Sequence, residues 1–596
     1  MARDNERQYP YQDLQLSVEQ RVADLTDRMT LEDKAGLLFH DMVAPGDLDA
    51  LNTLVSLPSA RTLVTEFRLR HFNLLGAAPD GRQFAEWHNE LQRLAADQPL
   101  AIPVTISSDP RHHFTDNPML SILAGPFSQW PEPIGLAAIG SQELVHEFAD
   151  IARQEYGAVG IRVALHPQID LATEPRWPRI SQTFGEDADL TSRLAVAYIK
   201  GFQGETLGRD SVATMTKHFP GGGPQKDGDD PHFAWGREQV YPGGCFDYHL
   251  GPFRAALAAG ASQIMPYYGM PVGTEYEEVG FSFNRSVVTG LLREQLGFDG
   301  IVCTDWGLVI DAPEPGPLSV ARAWGVEHLN PDERLLKLLD AGVDQIGGEY
   351  CSDSVVRLVR AGQISKARID ESVRRLLREK FVLGLFDQPF VDVEVAGGTL
   401  GRADFRAAGL RAQQRALTLL TNGTSDADST TLPLQRGIKV YGEGTIDDVL
   451  AGYATVVGDA TEADVAILRL RAPWQPSGYG GFTDLFHGGS LEFASEELER
   501  ILGICRVVPT VIDIYLERPA ILTPLATEAA AIIGNFGIEE PALLEVLFGD
   551  ASPEGNLPFD LPRSMAAVVT SSSDAPFDTE DPLFSFGHGL RYDQRD

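Results

Sequence analysis

Short apolar runs alternate along this chain with stretches of helical periodicity, and that alternation predicts its architecture. Strand-like runs cover residues 101–107, 161–165, 212–216, 261–265, 301–304 and 343–346. Between them lie helical patterns over 143–157, 190–204 and 287–296. A further helix is predicted over 20–40, capped by Thr30 with Asp33 three residues on, ahead of Ala35, Leu37 and Leu38. Alternating β and α elements imply parallel strands. Spread over more than 300 residues, they suit a closed (β/α)8 barrel better than one open sheet. The barrel domain is predicted to span residues 1–390, ending after Gly384-Leu-Phe-Asp-Gln-Pro389. A Gly-rich linker over 391–404 follows, then a helix over 405–418, Asn422-Gly423 and a polar loop over 425–431. Runs at 438–441, 465–470, 511–516 and 530–535 are apolar on both faces, as in a parallel sheet covered by helices. They place a second α/β unit in residues 405–596.

Composition narrows the function. At 43% apolar and 22% charged residues, the chain can bury large cores. Its net charge of −36 opposes binding to nucleic acid or anionic membranes, which need a surplus of Lys and Arg. Neutral small molecules are indifferent to that charge. The cysteines at 245, 303, 351 and 505 are too far apart for a metal-type spacing or a disulfide framework, so free buried thiols are expected and no metal site is predicted. No run of 18 apolar residues predicts a membrane span. Met1-Ala-Arg-Asp-Asn-Glu-Arg7 leads into polar residues without an apolar segment, which predicts a cytoplasmic protein. A homo-oligomer is compatible with all of this.

The candidate chemistry follows the strands, where barrel enzymes place catalytic groups. Asp305 ends one run and precedes Trp306. A carboxylate there can attack a sugar carbon, and the Trp face can carry a sugar ring; the competing reading is an Asp capping the next helix. Arg176, in Glu174-Pro-Arg-Trp-Pro-Arg179, and Lys217 and His218, in Lys217-His-Phe-Pro-Gly-Gly-Gly223, can donate hydrogen bonds to sugar hydroxyls. Arg and Lys also keep nearby carboxylates ionised. Lys217-His218 alone could equally be a structural ion pair, but Pro220-Gly-Gly-Gly223 favours a tight active-site loop. Asp109 heads Asp109-Pro-Arg-His-His113 and competes with an Asx-turn before Pro110. Tyr267 could line a site or pack in the core, and Asp170 could be a helix cap.

Together these segments, with Cys303-Thr-Asp-Trp-Gly307, resemble glycoside hydrolase family 3 in the order the family shows them. Leu25-Thr-Asp-Arg-Met-Thr-Leu-Glu-Asp-Lys34 is similar to the family's opening helix, and Phe184-Gly-Glu-Asp187 continues the Arg-Trp segment. Leu547-Phe-Gly-Asp-Ala-Ser-Pro-Glu-Gly-Asn-Leu-Pro558 and Phe584-Ser-Phe-Gly-His-Gly-Leu590 are similar to its second-domain signatures. The resemblance implies a (β/α)8 barrel followed by an α/β sandwich, with the active site between them. It also implies retaining, exo-acting removal of a terminal β-linked sugar, usually glucose, without a cofactor. Within it Asp305 becomes the nucleophile, Asp109 the carboxylate that grips the terminal sugar's hydroxyls, and Tyr267 a contact to the nucleophile or the sugar.

The chain also departs from the family's pattern. Its glucosidases usually take an acid/base Glu from a second-domain loop, which here should be Arg471-Ala-Pro-Trp-Gln-Pro-Ser-Gly-Tyr-Gly-Gly-Phe482. That loop holds no carboxylate, and Gln475 stands at the suspected acid/base position. Asp484 and Glu492 are the nearest replacements, while Trp474, Tyr479 and Phe482 could line an acceptor subsite. Asp230-Pro-His232 resembles the Asp-Ser-His dyad by which the family's N-acetylglucosaminidases protonate the leaving group, and makes His232 a further alternative. The expected activity is therefore that of a β-glucosidase. β-Xylosidase, β-N-acetylhexosaminidase and a catalytically weakened sugar-binding variant are the competing readings.

Overall fold

The computed structural model describes residues 9–51, 57–117, 120–311, 320–423 and 430–592. Part of the predicted polar loop, residues 425–429, lies outside them. Eight strands close a barrel: β1 (Phe39–Val43), β2 (His71–Leu74), β3 (Thr105–Ser108), β4 (Ile161–Ala164), β5 (Ala213–Phe219), β6 (Gln263–Pro266), β7 (Ile301–Trp306) and β8 (Gln345–Gly347). Each strand pairs in parallel with the next, and β1 pairs with β8 to close the ring. The predicted barrel is therefore present, and its six legible runs all fall on strands.

The predicted helix over 20–40 is two helices, Val18–Arg28 and Leu31–Leu37, followed by the start of β1. Thr30 caps the second of them: its hydroxyl accepts from the Asp33 N–H and the Asp33 carboxylate accepts from the Thr30 N–H, which satisfies two donors at the helix start. β1 and β2 escape a search for apolar runs because they carry His40, Asp41, His71 and Asn73, all buried. His40 bonds Ser107 Oγ at 2.7 Å and Gln345 Oε1 at 3.1 Å across the barrel, so polar strands are tolerated where partners face them.

Below this polar layer lies an apolar floor of Val163, Met215, Met265 and Cys303, with Leu383 and Leu385. Met215 and Cys303 precede Lys217 and Asp305 by two residues. In a strand that spacing puts them on the same face, so the floor lies directly beneath the charged groups. Among the described residues all cysteines are free; Cys303 is buried and the other three are partly exposed, against the expectation of buried thiols.

The expected Gly-rich linker contains a helix, Val393–Thr399, which packs on the barrel helix Gly81–Ala96. The second unit is a six-stranded sheet of β9 (Thr418–Asn422), β10 (Lys439–Glu443), β11 (Thr455–Val456), β12 (Val465–Arg471), β13 (Thr510–Tyr515) and β14 (Ala531–Asn535), in the order β9-β14-β13-β12-β10-β11. It is parallel except for β9, which runs antiparallel to β14. β9 starts at Thr418, where the sequence predicts the end of a helix; that helix stops at Ala416. Helices cover the sheet, as expected of an α/β sandwich. Tyr515 at the end of β13 donates to Glu132 of the barrel domain at 3.1 Å, and burial raises the Glu132 carboxyl to about 7.

Candidate active site

The C-terminal ends of β3, β5 and β7 bring Asp109, Lys217, His218 and Asp305 together. The register of β5 against β6 shifts between Lys217 and Phe219. Consecutive side chains of a strand normally face opposite ways, but at this irregularity both Lys217 and His218 turn into the site. Lys217 Nζ donates to Asp109 Oδ1 at 2.9 Å, and Asn73 Nδ2 donates to Asp109 Oδ2 at 3.1 Å. Each carboxylate oxygen keeps a lone pair for a substrate hydroxyl.

His218 links this pair to Asp305. Its Nδ1 lies 2.7 Å from Asp170 Oδ2, and its Nε2 lies 3.7 Å from Asp305 Oδ2. Burial and the Arg179 charge hold the imidazole well below its ordinary value, against the pull of Asp305. A neutral imidazole that donates from Nδ1 leaves Nε2 as an acceptor for a sugar hydroxyl. Asp170 is therefore the anchor of His218. Its Oδ1 also accepts from the N–H groups of His218 (3.1 Å) and Gly222 (2.6 Å), and burial raises its carboxyl to about 6 despite those bonds.

Asp305 is 8% exposed. Oδ1 accepts from the Trp306 N–H at 2.8 Å, whereas the buried Oδ2 has no hydrogen-bond partner. An oxygen fixed by its neighbour's bond, with its own lone pairs unused, is suited to attack. The Trp306 ring lies against Gly347 and Gly348, where a Cβ at either position would come within 2.7 Å of it. Tyr268 supports the same turn: its hydroxyl donates to Trp306 O at 2.8 Å and accepts from Trp306 N at 2.9 Å.

Arg176 stands apart from this cluster. Its Nε and Nη2 grip Glu174 at 2.8 and 2.9 Å, and Asp227 lies 3.6 Å from Nη1. The arginine facing the cluster is Arg179, three residues on and fully buried. Gln168 and Gln182 hold it at 3.0 and 3.2 Å, and its guanidinium lies 5.8 Å from the centre of the Tyr267 ring. Burial opposes its charge, but Tyr267, Asp230, Asp305 and Asp170 raise its pKa above the ordinary arginine value. Sequence reasoning passed over Arg179 because nothing in Arg-Trp-Pro-Arg says which arginine turns inward. Tyr267 packs on His218, ring centres 4.4 Å apart, and donates to Asp230 Oδ2 at 3.3 Å.

Asp230 and His232 form a buried dyad in the same region. His232 Nδ1 lies 2.6 Å from Asp230 Oδ1, and Asp230 Oδ2 accepts from Trp177 Nε1 at 3.0 Å. Burial alone would raise the Asp230 carboxyl; His232 and Arg179 bring it down to about 2. Burial pushes the His232 imidazole below its ordinary value while Asp230 and Asp305 pull it up. Its ring packs 4.8 Å from Tyr268, the residue that also braces the Asp305 turn, and 5.0 Å from Phe486 of the second domain.

The second-domain loop places its candidates elsewhere. Gln475 is exposed and spends its amide oxygen on the Ser490 N–H at 3.4 Å. Asp484 accepts from Ser477 N and Oγ at 3.0 and 2.8 Å within its own loop, and Glu492 is exposed. Trp474 stacks on His487 at 4.5 Å, and His487 bonds Glu517 at 2.7 Å.

Arg518, fully buried, fastens this loop. Its guanidinium donates to the carbonyls of Pro473 (2.6 Å), Gly488 (2.9 Å), Gly489 (3.0 Å) and Ser490 (3.0 Å), and to Arg176 O (2.9 Å) in the barrel domain. Arg518→Ala is expected to leave these carbonyls without their donor and to destabilise the protein by about 2–5 kcal/mol. Thermal unfolding of the variant checks this, and an unchanged Tm would refute the fastening role.

A closed barrel with several carboxylates, a lysine, two histidines and an arginine converging at the C-terminal ends of its strands, capped by a second domain, is the frame of a carbohydrate-active hydrolase. The model of the glycosyl hydrolase family 3 N terminal domain matches residues 73–379, and that of the glycosyl hydrolase family 3 C-terminal domain matches residues 409–592. The chain belongs to glycoside hydrolase family 3 and is a glycosidase. It is 51% identical to β-glucosidase C of Emericella nidulans over 98% of this chain and 94% of that one. It is 41% identical to a periplasmic β-glucosidase/β-xylosidase of Dickeya chrysanthemi over 98% and 91% of the two chains. Among solved structures, an exo-1,3/1,4-β-glucanase from a Pseudoalteromonas species shares the fold with a TM-score of 0.75 at 22% identity, over 99% of this chain and 76% of that one.

The periplasmic relative overturns the expected cytoplasmic location. Opening residues report the compartment only where they include the targeting segment itself.

Proposed function

We propose that this enzyme is a retaining, exo-acting β-glucosidase with Asp305 as nucleophile and the Asp230–His232 dyad as its acid/base group. Glucosidase activity in the full-length relatives supports the substrate. The observation that carries the mechanism is the juxtaposition of an unbonded Asp305 Oδ2 with a buried, carboxylate-oriented imidazole across Tyr268. In this reading Asp109, Lys217, His218 and Arg179 hold the hydroxyls of the terminal glucose, and Trp306 lies against its ring.

Oδ2 attacks the anomeric carbon as the bond to the leaving oxygen breaks, and that oxygen takes the proton from His232 Nε2. Water then attacks the glycosyl ester, gives a proton back to His232 and frees Asp305. Two inversions retain the β configuration. Asp230 holds Nδ1, so Nε2 is the nitrogen that carries the transferable proton. A glucosidase that uses this dyad has no need of a carboxylate at position 475.

Incubation with an activated 2-deoxy-2-fluoro-β-glucoside tests the reading, with a covalent glucosyl adduct on Asp305 as the expected result in peptide mass spectra. A label on another acidic residue, or cleavage of an aryl N-acetylglucosaminide with negligible glucoside turnover, would overturn it. Gln475→Glu is expected to leave kcat for aryl glucosides within about twofold, because an exposed side chain bonded to its own loop has no part in the proton transfer. A marked rise in kcat would return the acid/base role to the second domain.

A further inference from the structure

The C-terminal end of a barrel strand is where a carboxyl group is expected to serve the chemistry. Glu349 stands there, just past the end of β8, yet it has no part in the reaction described. It is 4% exposed, and its Oε1 accepts from the N–H groups of Val309 at 2.8 Å and Ile310 at 3.0 Å. Those two residues lie on the segment that continues β7 beyond Asp305.

The bonds around Glu349 form a seam between β8 and the nucleophile segment. The Gly347 N–H donates to Thr304 Oγ1 at 2.8 Å, and the Gly347 carbonyl accepts from the Gly307 N–H at 3.1 Å. Further along the same seam, Glu349 takes the N–H groups of Val309 and Ile310. Arg334, from the helix Pro331–Ala341, completes the grip by donating Nη1 to Val309 O at 3.0 Å. Val309, fully buried, is thus held by a carboxyl on its N–H and a guanidinium on its C=O. The turn before it is equally tight. The Arg322 N–H donates to Gly307 O at 2.9 Å, and a Cβ at Gly307 would lie 2.8 Å from Arg322 Nη1.

The Trp306 N–H orients Asp305 Oδ1 and so aims the unbonded Oδ2. Peptide units are planar, so a shift of the chain beyond Trp306 turns that N–H and re-aims the carboxylate. We propose that Glu349 is a positioning residue for the nucleophile: by fixing Val309 and Ile310 it sets the orientation in which Asp305 meets the anomeric carbon. The proposal rests on Asp305 as the nucleophile. What Glu349 supplies is an acceptor oxygen of fixed position. Burial and the neighbouring Asp41 of β1 push its carboxyl up to about 8, against its two N–H bonds and Arg322. At neutral pH it is therefore a neutral acid, and an amide of the same shape can stand in for it.

Dinitrophenyl 2-deoxy-2-fluoro-β-glucoside tests this, because its leaving group departs without a proton and leaves His232 out of the measurement. The burst of dinitrophenolate counts working sites, and its rate reports attack by Asp305. Glu349→Gln keeps the acceptor and should match wild type in both. Glu349→Leu removes the acceptor, and Glu349→Asp draws it back by one methylene. The rate per counted site should fall roughly 10–100-fold for Leu and about 3-fold or more for Asp, at undiminished burst. If the Leu chain fails to fold, the Asp variant carries the comparison. A wild-type rate per site in Glu349→Asp, whatever its burst, would overturn the positioning role and leave Glu349 a purely structural residue. So would a fall in Glu349→Gln as deep as that in Glu349→Asp. Failure of the nucleophile reading itself looks different: the wild-type enzyme would give no burst, or would carry the label away from Asp305.

Discussion

Asp305→Gly is expected to lower kcat on an aryl β-glucoside by roughly 10^4–10^6-fold, the loss typical of removing a covalent nucleophile. The loss should be catalytic, since the Asp305 side chain accepts one hydrogen bond, from the next backbone N–H, and leaves Oδ2 unpaired. Azide should then restore turnover by entering the space that the carboxylate vacates. A single displacement inverts the centre, so the product should be the α-glucosyl azide, read by NMR. Formation of the β-azide, or near-normal hydrolysis by the variant, would remove Asp305 from the mechanism.

His232→Ala carries the second large effect. With poor leaving groups such as alkyl alcohols or sugars, kcat/KM should fall about 10^2–10^4-fold, the range of general acid catalysis. With dinitrophenolate, which departs without a proton, kcat/KM should change little. Azide should accelerate this variant as well, but the glycosyl ester on Asp305 still forms, so two inversions yield the β-glucosyl azide. The pH profile has a defined sign. His232 acts as an acid, so kcat/KM for poor leaving groups falls as pH rises through its pKa. Burial places that pKa below the ordinary imidazole value against the pull of Asp230 and Asp305, so the falling limb should lie on the acid side of the usual histidine range. The limb should vanish in His232→Ala assayed with the activated substrate. A loss independent of leaving group would sink the assignment.

Much of the site was legible because its residues follow apolar runs. Asp109, Lys217, His218 and Asp305 each end or follow a strand whose apolar residues are visible without a structure. Arg179 was not legible, since two arginines of one segment differ only in which one the chain turns inward. The burial of His232 was not legible, because an Asp-Pro-His loop reads as solvated polar sequence. It is in fact buried beneath Phe486, a residue 254 positions away (486 − 232) that comes from the other domain. The absence of a carboxylate in the loop through Gln475 left two readings open, a Gln in place of the acid or an acid elsewhere, and the sequence could not choose between them.

By itself the sequence determined the barrel, the second α/β unit and the family, because parallel strands, helix caps and strand-end motifs are local patterns written in consecutive residues. Only the tertiary structure decided which polar groups share a space. β1 and β2 are strands although they are polar, because His40 and Asn73 find partners across the barrel, and Asp305, Lys217, His218 and Asp109 share a space because separate strands converge. Such pairings depend on distance in space, and residue order carries no record of it.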